Sequence, residues 1–299
     1  MPEELIIDTQ SLRWYHFDDP EDPELTILAP EFDLHPLSLE DCVSPSQRAK
    51  MDDFGSHLFF ILNTLHFNVE DEILIIGKLC VFAGSDFVIT VSNGKSRTVD
   101  HVRARITAGH AYTASDELVH ALMDFVCDQF QPLIDQISDD IGELESRVYE
   151  RPDPAASMRA FGIKRVLISL RRVGAAHREI INKLLHRDPP FVSQNLNLYF
   201  RDIYDHIVLA LELIESNRDL VLGIIDVNLS ATAHRTNEIV KVLTMYATIL
   251  LPLNLVTGFF GMNFHYMPLL DEKFGVPLVC AVMLITTYLI SRYLATREW

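Results

Sequence analysis

The sequence VLTMYATILLPLNLVTGFF, residues 242–260, contains no charged side chain, and FGVPLVCAVMLITTYLIS, residues 274–291, contains none either. A helix rises about 1.5 Å per residue, so either run can cross a hydrocarbon core of about 30 Å. Two buried core helices are the alternative, but a soluble core rarely needs two such runs in succession. The pair predicts two transmembrane helices, at about 242–260 and 274–294, joined by a short outer loop at 261–273.

The charge of the chain lies outside this C-terminal region. Residues 242–299 contain three basic and three acidic side chains, whereas residues 1–241 contain 22 basic and 39 acidic ones and carry the whole net charge of −17. Such an acidic body predicts no nucleic-acid partner, because affinity for phosphate depends on lysine and arginine. The four cysteines are scattered without a CxxC pair, which is typical of a reducing compartment. The acidic N-terminus predicts that no cleavable signal peptide is present.

Basic residues flank the two predicted spans on the same side of the membrane. Arg235 and Lys241 precede the first span, and Arg292 and Arg297 follow the second. The loop between the spans has one lysine beside two acidic residues. The positive-inside rule then predicts a multi-pass protein of the cell (inner) membrane, with both termini in the cytoplasm.

The N-terminal part, residues 1–114, is predicted to form a cytoplasmic α/β domain around a small sheet. Its candidate strands are Leu58–Leu65, Ile73–Phe82 and Phe87–Val91, which are rich in β-branched and aromatic residues. Leu37–Asp41 has the pattern of a short helix.

Residues 115–195 change to a helical period and are predicted to form an acidic helical hairpin. The run Ser115–Glu150 has ten acidic residues, one arginine and an apolar stripe at helical spacing, with Pro132 as a candidate kink. Asp153 then caps a second helix, which runs to about Arg187.

A very long helix is predicted over 197–260. Between Pro190 and Pro252 there is no other proline, and Gly223 is the only glycine. A single helix of 64 residues would be about 96 Å long, against about 11–12 residues for an ordinary helix. Two helices broken at Gly223 are the alternative, but the absence of turn residues favours one rod. This rod would be a cytoplasmic stalk, 196–241, that continues into the first span.

One face of this helix carries polar and apolar residues at helical spacing. Two spans cannot enclose an aqueous path, so a transport function would require an oligomer with this face lining the axis. An asparagine in lipid is costly, so Asn254 should face protein or water, although hydrogen bonding between helices would also satisfy it. Leu243 on the same face would form an apolar ring that gates by dewetting. The candidate pore-lining residues are Asn237, Val240, Leu243, Leu251 and Asn254.

The tripeptide Gly261-Met262-Asn263 follows the first span and precedes the short loop and the last span. In this position it resembles the signature of the CorA family of magnesium and cobalt channels. Further segments that resemble this family are His35–Asp41 (HPLSLED), Gln47-Arg48, Tyr199–Asp202 (YFRD), Tyr204–His206 (YDH) and 235–244 (RTNEIVKVLT). The resemblance covers roughly residues 30–299.

The resemblance implies an α+β membrane protein that assembles as a homopentameric funnel, with five long helices lining the pore. The carbonyls of Gly261 and Met262 and the amide of Asn263 would form the selectivity filter, and the five residues of the helix face match pore-lining positions. Neutral oxygens suit magnesium, which dehydrates reluctantly. Uptake would be driven by the membrane potential, at about 4.6 kcal/mol for a divalent ion per 100 mV. The other partners implied are the lipid bilayer and divalent cations.

The resemblance also implies a regulatory metal site between subunits. Asp41 of one subunit would face Asp202 of its neighbour, with Glu40 and His206 nearby. Intracellular magnesium that binds there would stabilise the closed state, and its loss would release that state.

Some residues depart from the family pattern and leave the choice of metal open. His265 and Leu269 occupy outer positions that are often acidic in the family. A lone loop histidine is more often a solvated residue, but as a ligand His265 would favour zinc, cobalt or nickel. A zinc transporter of the same superfamily is therefore one alternative, although that branch usually replaces the methionine at Met262. A membrane-anchored ion sensor without transport is another. The sequence has no P-loop, HExxH or GxSxG motif, so we predict that the protein is not an enzyme.

Overall fold

The computed structural model describes residues 5–9, 11–45, 47–68, 73–150, 153–187, 193, 196–262 and 274–296. The chain divides into two compact units, Met1–Ile225 and Asp226–Trp299. The finer boundaries predicted from the sequence, after residues 114, 195 and 241, stay predictions.

The first part of the chain alternates strands and short helices. Its elements are β1 (Leu5–Asp8), β2 (Arg13–Phe17), α1 (Pro23–Leu28), α2 (Pro36–Val43), β3 (Lys50–Asp53), β4 (Leu58–Asn68), β5 (Ile73–Ala83) and β6 (Phe87–Ser92). Helices follow over the rest of the described chain: α3 (Arg97–Thr107), α4 (Ser115–Asp128), α5 (Phe130–Glu150), α6 (Pro154–Arg187), α7 (Asn197–Phe260) and α8 (Gly275–Thr296).

The strands form one mixed sheet in the order β1-β2-β6-β5-β4-β3. Strands β2 and β6 pair in parallel, and the other neighbours are antiparallel. The three predicted strands are confirmed as β4, β5 and β6, and the predicted short helix is α2. The sheet is larger than expected, because β1, β2 and β3 are each only four or five residues long and include charged side chains. The sequence of β3, for example, is KMDD, and pairing with β4 makes it a strand.

Both faces of the sheet are covered, which explains the unbroken apolar run at the start of β4. Phe60 and Leu62 belong to a core that the sheet shares with the later helices. Phe59 and Ile61 point to the other face, into a second core with Leu25 of α1 and residues of α2. A strand that is buried on both faces has a continuous apolar sequence instead of an alternating one.

Helices α5 and α6 form the predicted hairpin. The Arg159 guanidinium of α6 donates to the Asp140 carboxylate of α5 at 3.0 Å. The predicted helix over 115–150 is divided in two, since α4 ends at Asp128 and α5 begins at Phe130. Pro132 therefore lies in the first turn of α5, where its missing N–H is tolerated. The buried stripe of α5 contains Ile134, Ile137, Ile141, Leu144 and Val148.

Helix α7 is continuous over 64 residues and passes through Gly223 without a break. The prediction of one long helix is therefore confirmed. Among the described residues, α7 and α8 are the helices that contain stretches long and apolar enough to cross a membrane. Pro252 lies inside α7.

A buried histidine connects α6 to the sheet. His177 is 2% exposed, and its Nε2 accepts the backbone N–H of Asn63 at 3.2 Å. Within the described part of the chain, its Nδ1 has no hydrogen-bond partner. Burial lowers the pKa of His177 to about 4. The folded protein therefore keeps this imidazole neutral.

We expect His177 to make the folded protein less stable in acid. An unfolded chain binds a proton at this histidine below about pH 6.5, whereas the folded chain binds one only near pH 4. The stabilisation is therefore complete above pH 6.5 and is lost as the pH falls toward 4. Between pH 7.5 and pH 5 this group should remove about 2 kcal/mol of stability. The measurement is the unfolding temperature of the detergent-solubilised protein over this range.

His177→Gln should flatten that pH dependence, because glutamine does not titrate. His186→Gln, an exposed change on the same helix, serves as the control and should keep the wild-type slope. An equally steep slope in His177→Gln and wild type would contradict the assignment.

Candidate metal pathway and regulatory site

The predicted pore-lining residues lie on one exposed face of α7. Successive residues of a helix are about 100° apart, which places all five within a band of about 120°. Each of their side chains is exposed in the single chain: Asn237, Val240, Leu243, Leu251 and Asn254. The Asn254 amide has no hydrogen-bond partner among the residues that the structure describes. The face is therefore exposed in the described part of one chain.

The tripeptide begins where α7 ends. The N–H of Gly261 donates to the carbonyl of Thr257 at 2.9 Å, and the N–H of Met262 donates to the carbonyl of Phe259 at 3.3 Å. A Cβ at position 261 would lie 3.0 Å from the Thr257 carbonyl oxygen, so glycine fits this tight turn best. The third member, Asn263, lies outside the described residues, as do His265 and Leu269.

Helix α2, which carries Asp41, is capped by side chains at both ends. At its start, Nδ1 of His35 accepts the N–H of Leu37 at 3.2 Å. At its end, Lys78 of β5 donates to three backbone carbonyls at 2.9, 2.6 and 2.6 Å, those of Asp41, Cys42 and Ser44. A positive charge stabilises the C-terminal end of a helix, where the carbonyls lack helical partners. Lys78 thus fixes the backbone that presents Asp41.

The Asp41 carboxylate already has two partners within the chain. Gln47 donates to its Oδ1 at 2.9 Å, and Lys50 Nζ lies 2.7 Å from its Oδ2. Lys50 also contacts Asp52 at 2.7 Å. Burial of Lys50 opposes its charge, but the hydrogen bonds to Asp41 and Asp52 outweigh this effect and raise its pKa. A metal ion at Asp41 would therefore compete with a lysine.

The other predicted regulatory residues are exposed. The Asp202 side chain on α7 is 69% exposed, and its Oδ1 lies 3.9 Å from Nε2 of His206, one turn further along. Glu40 is exposed on α2. Within the described residues, no group of three or more His, Cys, Asp or Glu side chains could hold a metal ion. Asp41 and Asp202 therefore belong to no such group within the described part of one chain.

Lys50 and Lys78 were not among the residues predicted from the sequence. Lys78 had a detectable signal, because it is the one charged residue within the apolar run ILIIGKLCVFA of β5. No sequence pattern pointed to Lys50, because it lies in a short polar segment that becomes a strand only by pairing with β4.

A family model described as CorA-like Mg²⁺ transporter protein matches residues 9–295. The chain belongs to this family. It is 35% identical over 275 residues to the cobalt/magnesium transport protein CorA of Thermotoga maritima. This alignment covers 90% of this chain and 77% of that protein. It is also 22% identical over 254 residues to the zinc transport protein ZntB of Yersinia enterocolitica, covering 85% of this chain and 77% of that protein.

The fold agrees with that of solved CorA proteins. The complete structure of the CorA magnesium transporter from Methanocaldococcus jannaschii superposes with a TM-score of 0.84, at 20% identity, over 97% of this chain and 92% of that one. The resemblance predicted from the sequence is confirmed, including the soluble α/β part, the long helix and the two candidate membrane helices. As a CorA-family chain, the protein is a membrane transporter of divalent metal ions. Membership of a transporter family fits the prediction that it is not an enzyme.

Proposed function

We propose that the protein takes up magnesium, and with it cobalt or nickel, through a homopentameric channel in the cell membrane. The observation that carries this proposal is the Gly261-Met262 turn, which directly follows the unpartnered face of α7 and leads into Asn263. The relative at 35% identity, a cobalt/magnesium transport protein, supports the same choice of ions.

Five copies of α7 would enclose the path that one copy cannot. The exposed face that contains Asn254 and Leu243 would then line an axis instead of facing lipid. Amide groups at Asn254 would contact the water shell of the ion, whereas the apolar ring at Leu243 would close the path by dewetting.

The filter at the outer end would use neutral oxygens. The carbonyls of Gly261 and Met262 and the amide of Asn263 would bind the hydration shell of magnesium without stripping it, because magnesium dehydrates reluctantly. Weak capture also permits release. With both termini in the cytoplasm, as the basic flanks predict, the membrane potential drives the ion inward.

Regulation would come from magnesium bound between Asp41 of one subunit and Asp202 of the next. The structure adds Lys50 and Gln47 to this proposal, since both hold the Asp41 carboxylate in the single chain. Magnesium at millimolar concentration would displace Lys50 and stabilise the closed state. When the intracellular magnesium concentration falls, Asp41 would return to Lys50 and the subunits would splay apart from the closed arrangement.

Zinc uptake is the second candidate, since zinc transport proteins match the chain at 22–23% identity. The methionine at Met262 favours magnesium, because the zinc branch usually replaces it. Uptake of both metals by proteoliposomes separates the two functions. We expect magnesium flux that increases with an inside-negative potential and that zinc inhibits only weakly. A protein that only senses ions would show no flux of either metal.

Asn263→Ala should lower magnesium uptake several-fold. The change removes the amide from the filter, but the backbone carbonyls at positions 261 and 262 remain, so part of the hydration-shell contact survives. The measurement is magnesium uptake by proteoliposomes that contain equal amounts of each protein. Leu269→Ala, a change in the same outer segment, is the control and should keep wild-type flux. Equal flux in Asn263→Ala and wild type would remove Asn263 from the filter.

A further inference from the structure

A cavity of about 430 Å³ lies in the first unit, where β4 and β5 meet α6. Its volume is in the range of small-molecule sites, which hold about 300–1,000 Å³. Arg48, Asn63, Lys78 and Arg172 supply polar parts of its wall, and Ile76 and Val173 supply apolar parts. The transport pathway proposed above does not use this cavity.

The wall of the cavity is basic although the chain is acidic. The chain has 42 acidic and 25 basic residues, yet no aspartate or glutamate is among the described residues that line the cavity. Arg48 and Arg172 have no ion-pair partner in the part of the chain that the structure describes. Both arginines are exposed, so their guanidinium groups are accessible to a ligand from solvent. They create a local attraction for anions.

An amide adds a third donor to this wall. The Oδ1 of Asn63 accepts the N–H of Ala49 at 3.1 Å, which leaves the NH₂ group without a partner among the described residues. Lys78, by contrast, uses its ammonium group for the three carbonyls at the end of α2. Within the described part of the chain, the donors left for a ligand are the guanidinium groups of Arg48 and Arg172 and the amide of Asn63. They come from three separate segments.

This donor set suits a phosphate group better than a carboxylate. A guanidinium binds an oxyanion with two parallel N–H donors, so two arginines and an amide present more donors than two carboxylate oxygens can accept. A phosphate presents three or more oxygens in a tetrahedral arrangement. The apolar wall beside these donors would contact an organic part of the same ligand.

We propose that this cavity binds a small phosphate-bearing anion. Arg48 and Arg172 hold the phosphate group, Asn63 donates to one of its oxygens, and Ile76 and Val173 contact an attached apolar group. Gln47 also lines the cavity and donates to Asp41, so the anion site adjoins the carboxylate of the proposed regulatory site.

Binding can be tested by calorimetric titration of the full-length protein in detergent, with EDTA present to remove divalent cations. The probes are inorganic phosphate, adenosine monophosphate and adenosine. We expect both phosphates to bind, the monophosphate more tightly, and adenosine not to bind. Arg48→Gln with Arg172→Gln should weaken binding about a hundredfold, since each charged hydrogen-bonding partner contributes about tenfold. Replacing both arginines by lysine should restore part of the affinity, because the charge returns without the planar fork.

Arg178→Gln is the matched control, because Arg178 is an exposed arginine of α6 that does not line the cavity. It should bind both phosphates like wild type. Equal affinity in the double glutamine variant and wild type would overturn the proposal, and so would a wild-type protein that binds neither phosphate. If the wild type binds neither phosphate and the double variant changes the oligomeric state, the arginines instead pair with a second copy of the chain.

Discussion

Asn254→Leu is expected to lower magnesium uptake by at least about tenfold, which corresponds to about 1.4 kcal/mol in the barrier for passage. The Asn254 side chain is exposed on α7 and unpartnered among the described residues, on the same face as Leu251 and Leu243. In a pentamer the change replaces five amides by five apolar groups. Val240, Leu243 and Leu251 already lie on this face, so the new ring lengthens the stretch that excludes water.

The flux measurement needs a control for membrane insertion. Leucine is better tolerated in lipid than asparagine, so the variant should insert at least as well as wild type. Thr286→Leu makes a comparable polar-to-apolar change in α8, where the hydroxyl donates to the carbonyl of Val282 at 2.8 Å. It should keep wild-type flux at equal protein abundance. Full flux through Asn254→Leu would show that Asn254 lies outside the pore, at a contact between helices.

Asp202→Ala is expected to raise the magnesium concentration that protects the soluble part from proteolysis, by at least about tenfold. Asp202 is exposed, and its ion pair with His206, at 3.9 Å, is long and also exposed, so removing the carboxylate should cost little folding stability. The proposed site between subunits loses one of its two carboxylates. By linkage, weaker magnesium binding to the closed state also means weaker stabilisation of that state.

Limited proteolysis across a magnesium titration measures this shift. Glu212→Ala removes another exposed carboxylate of α7 and should leave the midpoint unchanged. The same midpoint in Asp202→Ala and wild type would exclude Asp202 from the regulatory site. Magnesium uptake by the variant is measured separately. A channel that magnesium no longer closes should still conduct magnesium.

The sequence predicted the strands and helices whose formation depends mainly on their own residues. Strands β4 to β6 were predictable because their apolar and β-branched residues favour strand in any context. Strands β2 and β3 were not, because they are short and partly polar. The N–H of the buried Trp14 indole in β2 donates to Thr90 of β6 at 3.0 Å, a contact between residues 76 positions apart.

For the site, the sequence indicated which residues to examine but did not indicate their partners. The tripeptide and the two aspartates were found by their resemblance to family segments. Only the folded chain shows that Lys50 and Gln47 contact the Asp41 carboxylate. The same holds for the hydrogen bonds from Lys78 to the carbonyls at the end of α2. The sequence also did not indicate that Arg48 and Arg172 line one cavity, because they come from segments more than 120 residues apart.

The sequence by itself determined the membrane helices, the uninterrupted α7 and the family. Charge-free length and the absence of turn residues act within a single segment, so no distant residue is needed to interpret them. Tertiary structure decided the rest, including the six-stranded sheet, the neutral state of His177 and the partners of Asp41. His177 accepts a hydrogen bond from a residue 114 positions away, and Lys78 caps a helix 34 to 37 positions earlier. Such contacts depend on which surfaces pack together, because hydrophobic burial is non-directional and does not specify a partner in advance.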